Sequence, residues 1–262
     1  METKIKSLIP QIFDRKNIQI NNTKPNKLYI NIASEIATRL KETNLYFENA
    51  LELNSKTINT SIQIQETNLI KNLYKTAINN PKKKNIVSFK SDEEYLAIKN
   101  NSMDLVYSIL GLNMINDLPG TFKQIYNGLK PGGLFISAFW GEGTLSPLAE
   151  SLAYADEKVL KGLYSRIFPF CDIKTLGSLI QRAGFSMPMA DQEKILKQYS
   201  NITDLFIEIR SFNDKNILTT RPKSFTPKSI FKEAEKHLIR TSNNQSKFSM
   251  PFNIIFVMGW KG

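Results

Sequence analysis

Two apolar stretches, Asp104–Leu110 (DLVYSIL) and Leu134–Phe139 (LFISAF), decide the fold. Continuous apolar runs of this length are typical of strands that are buried on both faces of a parallel sheet. The segment between them, Leu118–Leu129, is predicted to be helical, and the sequence KPGG at 130–133 ends that helix. Strand, helix, Pro-Gly-Gly turn and strand together form a βαβ unit.

Strands and helices alternate on both sides of this unit. In the N-terminal part, residues 1–45 are predicted to be helical, because Ile30, Ala33, Ile36, Ala37 and Leu40 recur at the spacing of one buried helix face. The other predicted strands are Phe47–Glu52, Ser61–Gln65, Asn85–Phe89, Phe185–Met189 and Phe252–Trp260, and the other predicted helices are Leu69–Ile78, Ile173–Ala183, Ile195–Phe212 and Pro227–Leu238. This alternation predicts an α/β fold with a doubly wound, mostly parallel sheet, N-terminal helices and added C-terminal helices.

Length and composition narrow the class of protein. A chain of 262 residues with 41% hydrophobic residues predicts one folded domain, and no apolar run is long enough to span a bilayer. The single cysteine, Cys171, excludes an intramolecular disulfide and a cysteine-cluster metal site, and the single histidine, His237, excludes sites that need two imidazoles. No apolar signal core follows Met1, so we expect a cytoplasmic protein without a metal centre.

The positive charge does not by itself indicate a nucleic-acid partner. The formal charge is +11, from 35 Lys and Arg against 24 Asp and Glu. The only basic cluster, KKK at 82–84, follows Asn79-Asn80-Pro81 and is typical of a solvated loop. Aromatic residues do not alternate with the basic ones, as a stacking surface for bases requires. Nucleic acid is therefore not an expected partner.

Several segments of the chain carry a family resemblance. The stretch Asp104–Pro119 and the turn with its strand, Leu129–Phe135, resemble class I S-adenosylmethionine-dependent methyltransferases. More narrowly, Ile12–Arg15 (IFDR), Leu179–Phe185 (LIQRAGF) and Met258–Lys261 (MGWK) resemble segments of the complex I assembly factor 5 family, whose relatives include the malonyl-carrier-protein methyltransferase of biotin synthesis. The resemblance covers nearly the whole chain.

The resemblance divides the expected single domain, residues 1–262, into three parts. These are an N-terminal helical part (1–45), a nucleotide-binding half (46–140) and a substrate half (141–262). It implies S-adenosylmethionine as cofactor, and either methyl transfer or the protein-arginine hydroxylation attributed to the assembly-factor branch. The interpretation that the sequence favours is a non-catalytic methyltransferase-like protein that binds a respiratory-complex subunit, or another protein, during assembly, and the active enzyme is the alternative.

The glycine-rich motif of the superfamily is degenerate in this sequence. In the matching stretch, Ala50–Ile58 (ALELNSKTI), Glu52 keeps the acidic residue, but the three glycine positions hold Asn54, Lys56 and Ile58. Glycines let the backbone approach the cofactor, and a β-carbon blocks that approach. The next acidic residue comes too early for a full helix and strand to lie between. We therefore expect a shortened or missing first helix and weakened or lost cofactor binding; Glu52 either contacts the ribose or only caps a strand.

Other parts of the pocket match the family better. The resemblance implies that Asp92, with Glu93, accepts a hydrogen bond from the adenine amino group; the alternative is a solvated acidic loop. Ser108, Leu110 and Asn113 lie at the end of the fourth strand, where α/β sheets bind ligands. A His-Trp pair is common in the family where this chain has Asn113 and Met114, so that histidine's role as a general base is absent. Asn113 either orients a substrate or caps the start of a helix.

Overall fold

All the described strands belong to one sheet in a computed structural model that covers residues 10–17, 26–76, 86–212, 214–242 and 246–262. The strands are β1 (Phe47–Glu52), β2 (Ile70–Thr76), β3 (Val87–Phe89), β4 (Met103–Ile109), β5 (Leu129–Trp140), β6 (Ser186–Tyr199) and β7 (Phe248–Trp260). Their order is β3-β2-β1-β4-β5-β7-β6. Strand β7 runs antiparallel to β5 and β6, and the remaining neighbours pair in parallel.

Helices cover both faces of this sheet. They are α1 (Lys27–Glu42), α2 (Ile58–Gln65), α3 (Leu118–Gly128), α4 (Ser146–Leu160), α5 (Ile173–Ala183), α6 (Ile202–Ser211) and α7 (Lys228–Thr241). Buried side chains of α1, α4, α6 and α7 form one apolar cluster, and those of α3 and α5 form a second. None of the helices in the described ranges combines the length and the apolar character needed to cross a lipid bilayer.

The two strands that decided the fold supply side chains to both clusters. Leu105, Tyr107 and Ile109 of β4 belong to the first cluster, and Val106 belongs to the second. Successive side chains of a strand point to opposite faces, so a strand with helices on both sides is apolar at nearly every position. The predicted doubly wound, mostly parallel α/β sheet is confirmed.

Three segments differ from the sequence-based prediction. Ser61–Gln65 alternates polar and apolar residues and was expected to be a strand, but it lies in α2, which Thr57 caps by accepting from Asn59 N. Leu69–Ile78 was expected to be helical, but its described part forms β2, which pairs with β1 and β3. These two errors exchange a helix and a strand. A parallel crossover such as the one from β1 to β2 usually contains a helix, and here that helix is α2.

The third error lies at the sheet edge. Ile195–Phe212 was expected to be one helix, but residues up to Tyr199 continue β6, which pairs along its whole length with β7. Only α6 in that range is helical. Helix α4 was not predicted at all. Within the predicted N-terminal helical part the described residues contain α1 and a 3-10 turn at Arg15–Asn17, and residues 1–9 and 18–25 lie outside the described part.

Candidate functional site

The carboxyl ends of β1, β2 and β4 meet along one side of the sheet, which we call the carboxyl edge. This is where α/β folds bind ligands. Three hydrogen bonds fix the bend that follows β1. Leu53 N donates to Tyr107 O (2.8 Å), Asn54 N to Thr76 Oγ1 (2.8 Å), and Ser55 N to Thr76 O (2.9 Å). These backbone N–H groups are therefore satisfied by the neighbouring strands.

Glu52, the acidic residue at the end of β1, is 1% exposed. Its Oε1 accepts a hydrogen bond from Thr60 Oγ1 (3.3 Å), and its Oε2 accepts from Ser61 Oγ and from Tyr107 Oη (3.3 Å). Burial raises the pKa of this carboxyl, against the lowering effects of Ser61 and Lys75. Glu52 thus joins α2 to the sheet, and its contact with a ribose stays a prediction.

Asn54 fills the first glycine position with a buried side chain. Its φ of 49° is a left-handed conformation that asparagine tolerates better than most residues. Its Nδ2 donates to Gly111 O (2.6 Å), while its Oδ1 is buried and has no hydrogen-bond partner among the described residues. A β-carbon on Gly111 would lie 2.6 Å from Ser108 Oγ and 2.7 Å from Leu53 O. The close approach at this edge is therefore between the ends of β1 and β4.

Lys56 fills the second glycine position and forms a buried ion pair. Its ammonium contacts the carboxylate of Asp214, and the two side chains are 8% and 6% exposed. The other carboxylate oxygen of Asp214 accepts a hydrogen bond from Trp140 Nε1 (3.0 Å). Removing one partner of a buried pair leaves an uncompensated charge, so the pair resists opening once it is formed. The third glycine position, Ile58, begins α2, and its side chain lies outside the described part.

Arg15 occupies the acidic cluster that the resemblance assigned to adenine. Its Nη2 donates to Asp92 Oδ1 (2.7 Å) and to Glu93 Oε2 (2.8 Å), and its Nη1 donates to Met114 O (2.9 Å). Glu93 is 1% exposed, whereas Asp92 is half exposed. The pKa of Glu93 is raised, because the effect of burial exceeds the opposing effect of the neighbouring Arg15. The contact of Asp92 and Glu93 with adenine stays a prediction.

The segment that carries Arg15 pairs with a second segment from the C-terminal half. Asp14 N donates to Ile217 O (2.7 Å), and Thr219 N donates to Ile12 O (2.9 Å). The second segment begins beside Asp214, the partner of Lys56. Residues 11–17 and 214–219 therefore lie together across the carboxyl edge of the sheet.

The remaining predicted residues link the strand ends to each other. Ser108 Oγ donates to a backbone carbonyl of the bend after β1 (3.0 Å), and Leu110 is buried with a φ of 54°. Asn113 Nδ2 donates to Leu110 O (2.9 Å), and its Oδ1 accepts from Trp140 N (2.8 Å). The alternative that Asn113 caps a helix is wrong, because Asp117 caps α3. Both polar atoms of the Asn113 amide are engaged in joining β4 to β5.

A cavity of about 700 Å³ lies beside this edge, in the C-terminal half. Side chains from α4, α6, α7, β5 and β7 line it, and most of them are apolar. Trp140 and Asp214 belong to its wall and also to the cluster around Lys56. The cavity therefore adjoins the bend after β1.

The single histidine belongs to α7, and the single cysteine pairs with Gly141 just after the carboxyl end of β5. His237 Nδ1 is 2.9 Å from Ser151 Oγ, and its ring stacks on Tyr154 with the centroids 4.4 Å apart. Burial lowers the pKa of His237 and raises the pKa of the Cys171 thiol. Among the residues that the structure describes, no group of three or more His, Cys, Asp or Glu is placed to hold a metal ion.

Sequence reasoning missed the two ion pairs that dominate this edge. The sequence identified Lys56 as a residue at a glycine position of the motif but gave Asp214 no role. It identified Arg15 only as part of the IFDR segment. The partners are 158 residues apart for Lys56 and 78 for Arg15 with Glu93. The pair of Arg15 with Glu93 could have been identified from the sequence, because Arg15 and the acidic cluster both lie in segments that resemble the family.

Comparison with known proteins assigns the chain to a family. A methyltransferase domain family matches residues 50–137, in agreement with the resemblance to class I S-adenosylmethionine-dependent methyltransferases. The human protein arginine-hydroxylase NDUFAF5, mitochondrial, is 31% identical over an alignment that covers 95% of this chain and 77% of the human protein. The chain therefore belongs to the NDUFAF5 family of methyltransferase-like proteins.

Other relatives align over a smaller part of their length. The Dictyostelium discoideum NDUFAF5 is 32% identical over 64% of this chain and 39% of that protein. The malonyl-acyl-carrier-protein O-methyltransferase of Nitrosospira multiformis is 28% identical over 65% of this chain and 53% of that enzyme. The chain thus matches about two fifths of the first relative and about half of the second.

Two solved bacterial structures share the fold. The YcgJ protein of Bacillus subtilis superposes with a TM-score of 0.59 at 12% identity, covering 88% of this chain and 98% of YcgJ. A Bacillus halodurans protein superposes with a TM-score of 0.58 at 10% identity, covering 87% of this chain and 99% of that protein. At these identities the likeness shows the fold alone.

Proposed function

We propose that this chain is a non-catalytic member of its family and that its site does not fit S-adenosylmethionine. In this proposal the chain acts in the assembly of a respiratory complex by binding one of the complex's protein subunits. The observation that carries the loss of fit is the buried pair of Lys56 and Asp214. Lys56 stands where the superfamily has a glycine, and its ammonium is fixed by Asp214 beside the bend. A cofactor that carries adenosine needs bare backbone at such a bend.

Arg15 supports the same proposal from the other side of the edge. The carboxylates that the resemblance assigns to adenine already bind a guanidinium from the same chain. For the adenosine of S-adenosylmethionine to displace this guanidinium, Glu93 would have to lose its ion pair while buried, which is costly. Arg15 therefore supplies internally the positive charge that faces Asp92 and Glu93.

The assembly role is supported by the family. The human relative is named NDUFAF5, and the sequence resembles the complex I assembly factor branch over nearly the whole chain. The relatives' names place them in mitochondria, whereas a cytoplasmic location for this chain stays a prediction. An assembly role needs a protein-binding surface and does not need a cofactor.

Two measurements test this proposal. A ligand present at 100 times its dissociation constant stabilises a protein by about 2.7 kcal/mol, which raises the melting temperature of a chain of this size by roughly 5–11 °C. We expect no such rise with millimolar S-adenosylmethionine. In cells that lack this chain, native gel electrophoresis of membranes should show less assembled complex. The chain with Asp92→Asn should restore that complex as well as the unchanged chain does.

An enzymatic role is the second candidate, and one observation favours it. Asn54 Oδ1 is buried at the ligand-binding edge without a partner among the described residues, and buried polar atoms usually have one. A bound cofactor could supply the missing donor. In that case the chain is an active methyltransferase or a protein-arginine hydroxylase. Mass spectrometry of subunits isolated from cells with and without the chain would then show an added methyl group or oxygen atom.

A further inference from the structure

The cavity in the C-terminal half has an apolar interior. Its volume is about 700 Å³, within the usual range of ligand pockets. Leu148 of α4, Phe206 of α6, Phe231 of α7 and Phe252 of β7 contribute to its wall. An interior of this kind favours an apolar chain or ring, because moving apolar surface out of water is favourable.

The charged side chains that are fixed in the wall are already neutralised. Arg166 forms a two-pronged ion pair with Asp156, at 2.6 and 2.7 Å, and also donates to Thr226 Oγ1 (2.8 Å). Asp214 is neutralised by Lys56. These groups add no free charge to the interior.

Two further cations of the lining have no ion-pair partner in the part of the chain that the structure describes. Arg210, at the end of α6, and Lys215, beside Asp214, are both exposed and belong to the lining. Neither makes an ion pair or a side-chain hydrogen bond within the described residues. Arg210, Lys215 and Thr203 are the exposed residues of the lining, whose other members are buried or half-buried, so these three mark the opening of the cavity. The cavity thus combines an apolar interior with a positively charged mouth.

We propose that this cavity binds a long-chain carboxylate, with the alkyl chain inside and the carboxylate between Arg210 and Lys215. Charge complementarity at the mouth selects an anionic head group, and the apolar interior selects a chain without polar groups. The proposal does not rest on the proposed function. It uses the pair of Lys56 and Asp214 only as a neutralised part of the wall, and it holds whether or not S-adenosylmethionine binds.

The experiment is displacement of a fluorescent fatty-acid probe by octanoate, decanoate and dodecanoate, each below its micelle concentration. Each buried methylene is worth about 0.8 kcal/mol, so affinity should rise about fourfold per added methylene. Methyl dodecanoate, which has the same chain without the charge, should bind more weakly. Added salt should weaken dodecanoate but not the ester.

Variants separate the head group from the chain. Arg210→Gln with Lys215→Gln should weaken dodecanoate about fivefold and leave the ester unchanged. Arg182→Gln with Lys174→Gln removes the same two charges from the exposed surface of α5 and should change neither ligand. Thr203→Trp, at an exposed position of the lining, should weaken both ligands by obstructing the cavity.

Three results would overturn the proposal. One is an affinity that does not depend on chain length. Another is equal binding of dodecanoate and its methyl ester, which would indicate a site for neutral apolar molecules. The third is an equal loss in the α5 control pair, which would indicate a general effect of net charge. Binding of S-adenosylmethionine tests the proposed function and has no bearing on these outcomes.

Discussion

Replacement of Lys56 by methionine tests the energetic part of the account. Lys56→Met keeps a long side chain of similar shape but leaves the carboxylate of Asp214 buried, with Trp140 Nε1 as its remaining partner. Removing one partner of a buried ion pair costs about 3–5 kcal/mol. In a chain of this size each kcal/mol lowers the melting temperature by about 2–4 °C, so the variant should melt roughly 6–20 °C lower.

The assay is thermal unfolding followed by circular dichroism, with two controls. Lys71→Met removes an exposed lysine that pairs with Glu48 on the sheet surface (3.1 Å), and it should leave the melting temperature nearly unchanged. Adding Asp214→Asn to Lys56→Met removes the unpaired charge and keeps an acceptor for Trp140. The double variant should therefore recover at least half of the loss.

The reasoning would be refuted by a Lys56→Met variant that melts within about 2 °C of the unchanged chain, since an exposed ion pair behaves in that way. A double variant that is less stable than Lys56→Met alone would also contradict it. That result would mean that Asp214 stabilises the fold through partners other than Lys56.

Three further predictions concern the same edge. Burial raises the pKa of Glu52, so the folded state holds a proton that the unfolded chain has lost. The contribution of Glu52 to the free energy of unfolding therefore falls as the pH rises above the ordinary value of 4.5. Glu52→Gln should flatten that part of the stability profile, measured by urea unfolding from pH 4 to 8. Gly111→Ala should destabilise the protein by about 1–3 kcal/mol in the same unfolding assay, because the added β-carbon meets atoms at 2.6 and 2.7 Å. Gly177→Ala in α5 should stabilise the protein by about 0.5–1 kcal/mol, because the nearest atom to its added β-carbon is 3.8 Å away. Arg15→Ala should expose residues 10–17 to proteolysis. The variant should lose less stability near pH 4.5 than at pH 7, because Glu93 without its partner takes up a proton at the lower pH. Equal losses at both pH values would show that Glu93 is not the group involved.

Much of the sheet could be predicted from local pattern alone. Strand β1 matches its prediction residue for residue, and α5 matches from Ile173 to Ala183, ending at Gly184 with a φ of 106°. The helix shows helical spacing closed by a glycine, and the strand is a short segment that ends on the acidic residue Glu52. The central βαβ unit was found from its two continuous apolar runs.

The errors have a physical cause in the position of each segment within the sheet. Residues 61–65 alternate in polarity like a strand, yet they lie in the crossover between two parallel strands, where a helix is usual. Strand β6 lies at the sheet edge and pairs only with β7, so most of its residues are exposed and it lacks an apolar run. Local periodicity does not contain this information.

The candidate site was predictable in outline but not in its contacts. The glycine positions filled by Asn54 and Lys56 are visible in the sequence. The partners of Lys56 and Arg15 are set by the fold, which brings segments 11–17 and 214–219 across the edge. A sequence pattern identifies the residues that interrupt a motif, whereas only the structure identifies what holds them.

The most direct test of the central claim is calorimetric titration of the purified chain with S-adenosylmethionine. The account predicts no measurable binding at millimolar concentration, and it predicts measurable binding once the bend is cleared by Asn54→Gly and Lys56→Gly, with Asp214→Asn to remove the unpaired charge. Micromolar binding to the unchanged chain that weakens in Asp92→Ala would contradict it.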